Sequence, residues 1–139
     1  MATTSAPQVL MGFDFGQKRT GVAVGQSLTG TANGVTTLAC KQGKPNWQVL
    51  DALVEEWKPD AFVVGIPVHM DGTEQDMTKA AKKFANRLNG RYNLKIFEAE
   101  ERLSSMEAEQ NLGANPKPEE IDREAARLIL EAWLSTSDR

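Results

Sequence analysis

The sequence holds one cysteine, one histidine and one tyrosine among its 139 residues. A single thiol, Cys40, excludes an intrachain disulfide and makes a reducing cytoplasm the expected location. One histidine, His69, and one cysteine are too few soft ligands for a structural zinc site. No motif joins the two, and Cys40 lacks the adjacent base that activates a nucleophilic thiol. Long apolar runs are missing as well. Nothing approaches the roughly 20 residues that span a bilayer, so no membrane association is expected. Residues 1–8 lack the basic start and apolar stretch of a secretory signal, and Thr3, Thr4, Ser5 and Pro7 make them a disordered lead-in. An excess of positive charge is also absent. Sixteen basic residues stand against 19 acidic ones, for a net charge of −3. Chains that hold polyanions by bulk charge are usually basic, so this one binds a polyanion through a local patch or not at all.

What is present is an ordinary core-forming composition, 40% hydrophobic and 25% charged, of a size expected to make one domain over residues 9–139. Residues 9–14 are a short apolar run ending at Asp14 and read as a buried strand. Gly16-Gln17-Lys18-Arg19 is a turn, residues 20–24 a second strand and the pair a hairpin. Val35, Thr36, Thr37 and Leu38 cluster β-branched residues and predict a third strand. Asn46 caps a helix to about Trp57, stopped by Pro59. Residues 61–66 are continuously apolar, as in a parallel central strand covered on both faces. A helix over 77–90 follows, with Ala80, Ala81, Phe84, Ala85 and Leu88 inward and Lys79, Lys82, Lys83 and Arg87 outward. A strand over 94–99 and a helix over 104–112 come next, the latter with Ser104 and Glu107 as a capping box. The last helix runs over 119–134. Trp47, Trp57 and Trp133 fall on apolar faces and are expected in the core. Three hairpin-type strands followed by alternating helices and strands predict an α/β fold, a five-stranded mixed sheet with helices on both faces.

Three acidic positions carry chemistry. Asp14 ends a buried strand and is followed by Phe15 and Gly16. It suits a metal ligand at a sheet edge, with Gly16 admitting a phosphate, although an Asp capping an ordinary tight turn is the commoner arrangement. Glu100-Glu101-Arg102 follows the fifth strand and suits a cation and phosphate site or a solvated charge run. Asp122 lies in the first turn of the last helix, where acids offset the helix dipole. It also shares the face of Ala125, Ala126 and Ile129 and so points toward the sheet, where a carboxylate needs a partner. If the first and fourth strands are neighbours, the three acids converge. Converging carboxylates suit magnesium or manganese, and a pair of ions suits phosphodiester hydrolysis.

These residues carry a resemblance. Asp14-Phe15-Gly16-Gln17-Lys18-Arg19-Thr20-Gly21-Val22-Ala23 resembles the opening motif of the YqgF/RuvX family. Gly65-Ile66-Pro67 with Met70-Asp71-Gly72-Thr73-Glu74 is similar to its second motif. Glu101-Arg102-Leu103-Ser104-Ser105 with Glu107-Ala108 resembles the third, and Asp122 with Ala125-Ala126 and Ile129-Leu130 the fourth. The match covers residues 9 to 134, and four motifs in order are far more specific than any one. The resemblance implies an RNase H-like fold and a nuclease, a hydrolase acting on ester bonds. It favours 5′-end processing of pre-16S rRNA in ribosome biogenesis. The alternatives are Holliday junction resolvase-like cleavage of branched DNA and a non-catalytic module binding RNA or protein in ribosome assembly. A nucleotide-driven kinase or ATPase shares the core but clamps nucleotide between two such domains, and this chain has length for one.

Carried over by position, the resemblance implies Asp14, Glu101 and Asp122 as the catalytic, metal-holding triad. They would bind Mg2+ or Mn2+ as two ions, with Asp14 bridging from the central strand. The family usually has Asp where Glu100 stands, and Glu101 keeps its place before Arg102. Glu119 and Glu120 stand where many members are basic. Lys18, Arg19, Arg102, Lys79, Lys82 and Lys83 are the candidate substrate contacts, the nucleic acid being pre-rRNA or branched DNA. His69 reads as a loop residue without a special role. A resolvase is expected to dimerise and a processing RNase need not, so a monomer or weak homodimer is expected.

Overall fold

The computed structural model describes residues 8–67, 76–101 and 117–136. The strands are β1 (Val9–Asp14), β2 (Arg19–Gln26), β3 (Thr31–Lys41), β4 (Lys44–Pro45), β5 (Ala61–Pro67) and β6 (Lys95–Glu101). The helices are α1 (Trp47–Trp57), α2 (Asp76–Tyr92) and α3 (Pro118–Thr136). They form one mixed sheet in the order β4-β3-β2-β1-β5-β6. The β1–β2–β3–β4 meander is antiparallel, whereas β1–β5 and β5–β6 are parallel. The first and fourth long strands are neighbours, as convergence of the acids requires.

The sheet has six strands rather than the expected five. The extra one, β4, is two residues long and ends in Pro45, too short to give a periodic signal. It is made by the Gln42-Gly43 turn, whose positive φ values of 53° and 79° match the tight hairpin that twisted strands prefer. The third strand is also far longer than Val35–Leu38, because the hairpin to β2 extends it at both ends. The helix expected over 104–112 lies outside the described residues.

Strand alternation divides the core into two layers. Met11, Phe13, Val22, Phe62 and Val64 face α1 and α2 and pack with Leu50, Phe84 and Leu88. Phe13 centres this layer, its ring 5.6 Å from Phe62 and 5.5 Å from Phe84. Leu10, Ala23, Ala61 and Val63 face α3 and pack with Ala126, Ile129 and Leu130. Asn46 caps α1 as expected, its side chain accepting from Gln48 and Val49. Trp57 departs from the expectation. It is 40% exposed, because α1 ends there and the chain turns away through Lys58 in a left-handed conformation. None of the described helices is long and apolar enough to cross a membrane.

The α3 face is lined with small residues, so the helix lies almost on the strands. A Cβ on Gly21 would stand 1.8 Å from the Asp122 carbonyl oxygen, and one on Gly34 would stand 3.1 Å from that of Arg123. Helix backbone cannot retreat as a flexible side chain can. Gly21→Ala is therefore expected to cost at least about 2 kcal/mol in urea unfolding, the scale of core overpacking. Gly90, helical with nothing within 4 Å of a built Cβ, is the control. Gly90→Ala should stabilise by about 0.5–1 kcal/mol.

On the opposite layer Arg91 clamps α1 to α2. It donates to both carboxylate oxygens of Asp51 at 2.8 and 2.6 Å, and the Tyr92 hydroxyl donates to the same group at 2.6 Å. These bonds, led by that from Arg91, hold the Asp51 carboxyl down at about 2 against an ordinary 3.8. A lowered carboxyl contributes stability above its unfolded-state value and loses it as pH falls toward the folded one. Acid unfolding of Asp51→Asn should thus be less steep than that of the wild type between about pH 4 and pH 2.

Candidate active site

Asp14 closes β1, half-buried, opposite Gly21 of β2 and Gly65 of β5. It shares the parity of Leu10 and Gly12, both turned toward α3. The chain after it makes a tight turn. A Cβ on Gly16 would meet the Arg19 carbonyl oxygen at 2.3 Å, so only glycine fits. Thr20 locks the turn. Its buried hydroxyl donates to the Gly16 carbonyl at 3.3 Å and lies at 3.4 Å as acceptor from the Gly16 amide. Phe15 anchors the other side, its ring 5.1 Å from that of Phe84.

Asp122 comes to the same place from α3. Its carbonyl lies over Gly21, the residue opposite Asp14. Its carboxylate faces the sheet end, as the spacing with Ala125, Ala126 and Ile129 predicts, and it accepts from Arg19 Nε at 2.6 Å. The hydrogen bond and charge of Asp122 raise the Arg19 guanidinium further above its ordinary value. The guanidinium of Arg19, a candidate substrate contact, is held by Asp122, because β2 and the start of α3 meet at Gly21.

Position 101 is the last of β6, paired with Pro67, while Asp14 pairs with Gly65 on the same intervening strand. Strand β6 extends through both glutamates, two residues past the expected end. Alternation then separates them. Position 101 has the parity of Phe97 and Ala99, which pack on the α3 layer, and Glu100 that of Ile96, which packs on the other. The Glu101 side chain, Arg102 and His69 lie outside the described residues. Among the described residues no three His, Cys, Asp or Glu side chains group as a metal site. Asp14 and Asp122 nonetheless fit a hard divalent ion: both are carboxylates at one sheet end, and Asp122 already takes a cationic group.

The remaining candidates are spread out. Lys18 is exposed in the turn after Asp14. Lys79 and Lys83 are exposed on α2, and Lys82 is half-buried there. This helix packs on the layer opposite α3. Cys40 is no activated thiol. Burial pushes it up, and its partner is the Thr20 hydroxyl at 3.3 Å. Thr20 itself was not singled out from sequence; its signal is a hydroxyl four residues after Gly16.

The RuvX family model, described as Holliday junction resolvase, matches residues 8–136. The chain belongs to the RuvX family. A relative from Saccharophagus degradans is 47% identical over 131 residues, covering 91% of this chain and 92% of its own length. One from Hydrogenovibrio crunogenus is 50% identical over 126 residues, with the same two coverages. Both are named "Putative pre-16S rRNA nuclease". Among solved structures, Thermus thermophilus RuvC in complex with Holliday junction substrate superposes with a TM-score of 0.53 at 14% identity. The superposition covers 93% of this chain and 97% of RuvC. The fold of this RuvX chain is RNase H-like, as the motifs imply.

The Arg19–Asp122 pair joins side chains that are 46% and 19% exposed. Such pairs contribute little to stability, so Arg19→Gln should cost less than about 1 kcal/mol in urea unfolding. The same change leaves the Asp122 carboxylate without its bound cation. Added Mn2+ should therefore raise the melting temperature of Arg19→Gln by more than that of the wild type.

Proposed function

We propose that this RuvX chain is a nuclease that hydrolyses phosphodiester bonds in 5′-end processing of pre-16S rRNA. In this reading Asp14, Glu101 and Asp122 hold two divalent ions, Mg2+ or Mn2+. The observation that carries it is that the Asp122 backbone lies over Gly21, the residue paired with Asp14, on the layer whose parity position 101 shares. The relatives named for pre-16S rRNA, near 50% identity over nine-tenths of the chain, favour RNA. The family description favours branched DNA as the second reading.

When bound, divalent ions supply the positive charge that activates a water and stabilises the leaving oxygen. The chain's own residues supply position. Asp14 sits on the middle strand of the three that converge, between β2 under Asp122 and β5 beside β6, and is suited to the shared ligand. Gly16 lets the chain after it turn back onto Arg19, and Gly21 lets the α3 backbone at Asp122 sit against β2. Arg19, held by Asp122 in this state, would be free to contact a substrate phosphate if that carboxylate held a divalent ion instead.

Asp14→Asn keeps the size of the side chain and removes its charge. The purified variant should melt like the wild type yet cleave neither precursor 16S rRNA nor a four-way DNA junction, in Mg2+ or Mn2+. The wild type should cleave the rRNA precursor. Cleavage of the junction alone would move the assignment to the second reading. Wild-type rates from Asp14→Asn, with contaminating nuclease excluded, would end the catalytic assignment.

A further inference from the structure

The acidic net charge leaves open how a RuvX chain holds a polyanion, and the sheet offers a local answer. Helix α3 begins at Pro118 and covers β1, β2 and β3 only from the level of Glu119, Asp122 and Arg123 onward. Thr37 donates to the Glu119 carbonyl at 2.7 Å, and Asp122 and Arg123 lie over Gly21 and Gly34. Past that level the same face of the sheet continues without the helix. Register gives its floor: Arg19 is opposite Ala39, and Lys41 is opposite Lys44. All four have the parity of Gly21, Thr37 and Gly34, which meet α3. The alternate positions go the other way: Leu38 and Pro45 are buried, and Cys40 meets Thr20.

We infer that Lys41 and Lys44 form the phosphate-binding track that leads a nucleic-acid strand to Asp14. This rests on the nuclease reading and adds the path of the strand. Both lysines are exposed, and among the described residues neither takes part in an ion pair, unlike Arg19, Arg91 and Arg127. The track from β1 across β2 and β3 to β4 spans three strand spacings, about 14 Å, the reach of a few nucleotides.

Its position relative to Asp14 is fixed by the backbone. The Cys40 amide donates to the Lys18 carbonyl at 2.8 Å, and the Gly43 amide to the Gln17 carbonyl at 3.0 Å. Gly43 also lies against the Phe15 ring, where a Cβ would stand 3.2 Å from Cζ. The turn bearing Lys41 and Lys44 is thus joined to the residues directly after Asp14. A phosphate bound there costs little ordering of the chain, which is how a preorganised site gains affinity. Helix α2 also touches Phe15, through Phe84, but on the other face of the sheet. Its lysines lie on the outer side of a helix packed on the opposite layer, so a strand at Asp14 would have to pass round the sheet to reach them.

The test compares two variants of equal charge change, Lys41→Ala/Lys44→Ala and Lys79→Ala/Lys83→Ala. Binding of a fluorescein-labelled single-stranded RNA and of a labelled four-way DNA junction is followed by anisotropy, in EDTA to prevent cleavage. Salt is varied between about 50 and 200 mM, where counterion release dominates. For the single strand, Lys41→Ala/Lys44→Ala should flatten the log K against log salt slope by roughly 0.7 per lysine and weaken binding at low salt at least about tenfold. Lys79→Ala/Lys83→Ala should keep the wild-type slope. Thermal melts establish that each variant is folded, and Lys44→Ala alone carries the test if the double change is not. Wild-type slope and affinity in folded Lys41→Ala/Lys44→Ala, or the loss appearing in the α2 variant instead, overturn the track and leave the nuclease reading standing. Failure of the wild type to bind either probe overturns both.

Discussion

The close seat of α3 on the sheet is the constraint from which the rest of this structure follows. Its backbone rests where Gly21 and Gly34 offer no side chain, and Ala125 and Ala126 on the helix are fully buried there. A helix normally stands off a sheet by the thickness of two layers of side chains, about 10 Å. Here one layer is missing at the N-terminal end of the helix. The consequence is chemical as well as mechanical. Only with that layer absent does a residue near the start of α3 come level with the residue opposite Asp14. The same contact fixes where the helix begins, and so how far along the sheet face α3 itself reaches.

Charge in this RuvX protein is arranged by layer and by edge. The net acidity is carried partly by residues that already serve structural cations: Asp51 takes Arg91, and Glu124 and Glu131 take Arg127. Asp122 takes Arg19 in the same way, but at the sheet end where Asp14 also lies. An arginine held through one hydrogen-bonded nitrogen, itself half in solvent, is poised for exchange rather than buried in a rigid pair. Lys41 and Lys44, without such partners among the described residues, lie one and two strands from Arg19. Net charge therefore says little about this chain's capacity for polyanions; the distribution of paired and unpaired cations says more.

Alternation along strands decides several assignments that look equivalent in one dimension. Glu100 and Glu101 are neighbours in the chain, yet a strand that continues through both sends them to different layers. Lys41 and Lys44 join the layer of Arg19 only because a two-residue turn sets their pairing, and a shift of one residue would send them to the other face. The bulge between Val22 and Ala23 adds a residue to β3, yet Ala32 still meets α3 beyond it.

Much of the fold was legible from residue order alone. The apolar run to Asp14, the continuous run into Gly65, the Asn46 cap and the inward face of Ala125 and Ile129 are local patterns, and short-range physics enforces them. The family motifs marked Asp14, Glu101 and Asp122 for the same reason: each motif is contiguous. The sequence carried no sign of β4, of the partner of Arg19, of the exposure of Trp57 or of the lysine turn lying against Phe15. Each depends on residues far apart in the chain meeting in space. Arg19 and Asp122 are 103 positions apart, and Gly43 meets Phe15 only after a hairpin and its return. Local propensity names the elements and the chemistry they carry; register and close backbone approach, set by packing over the whole chain, decide which of those groups share a site.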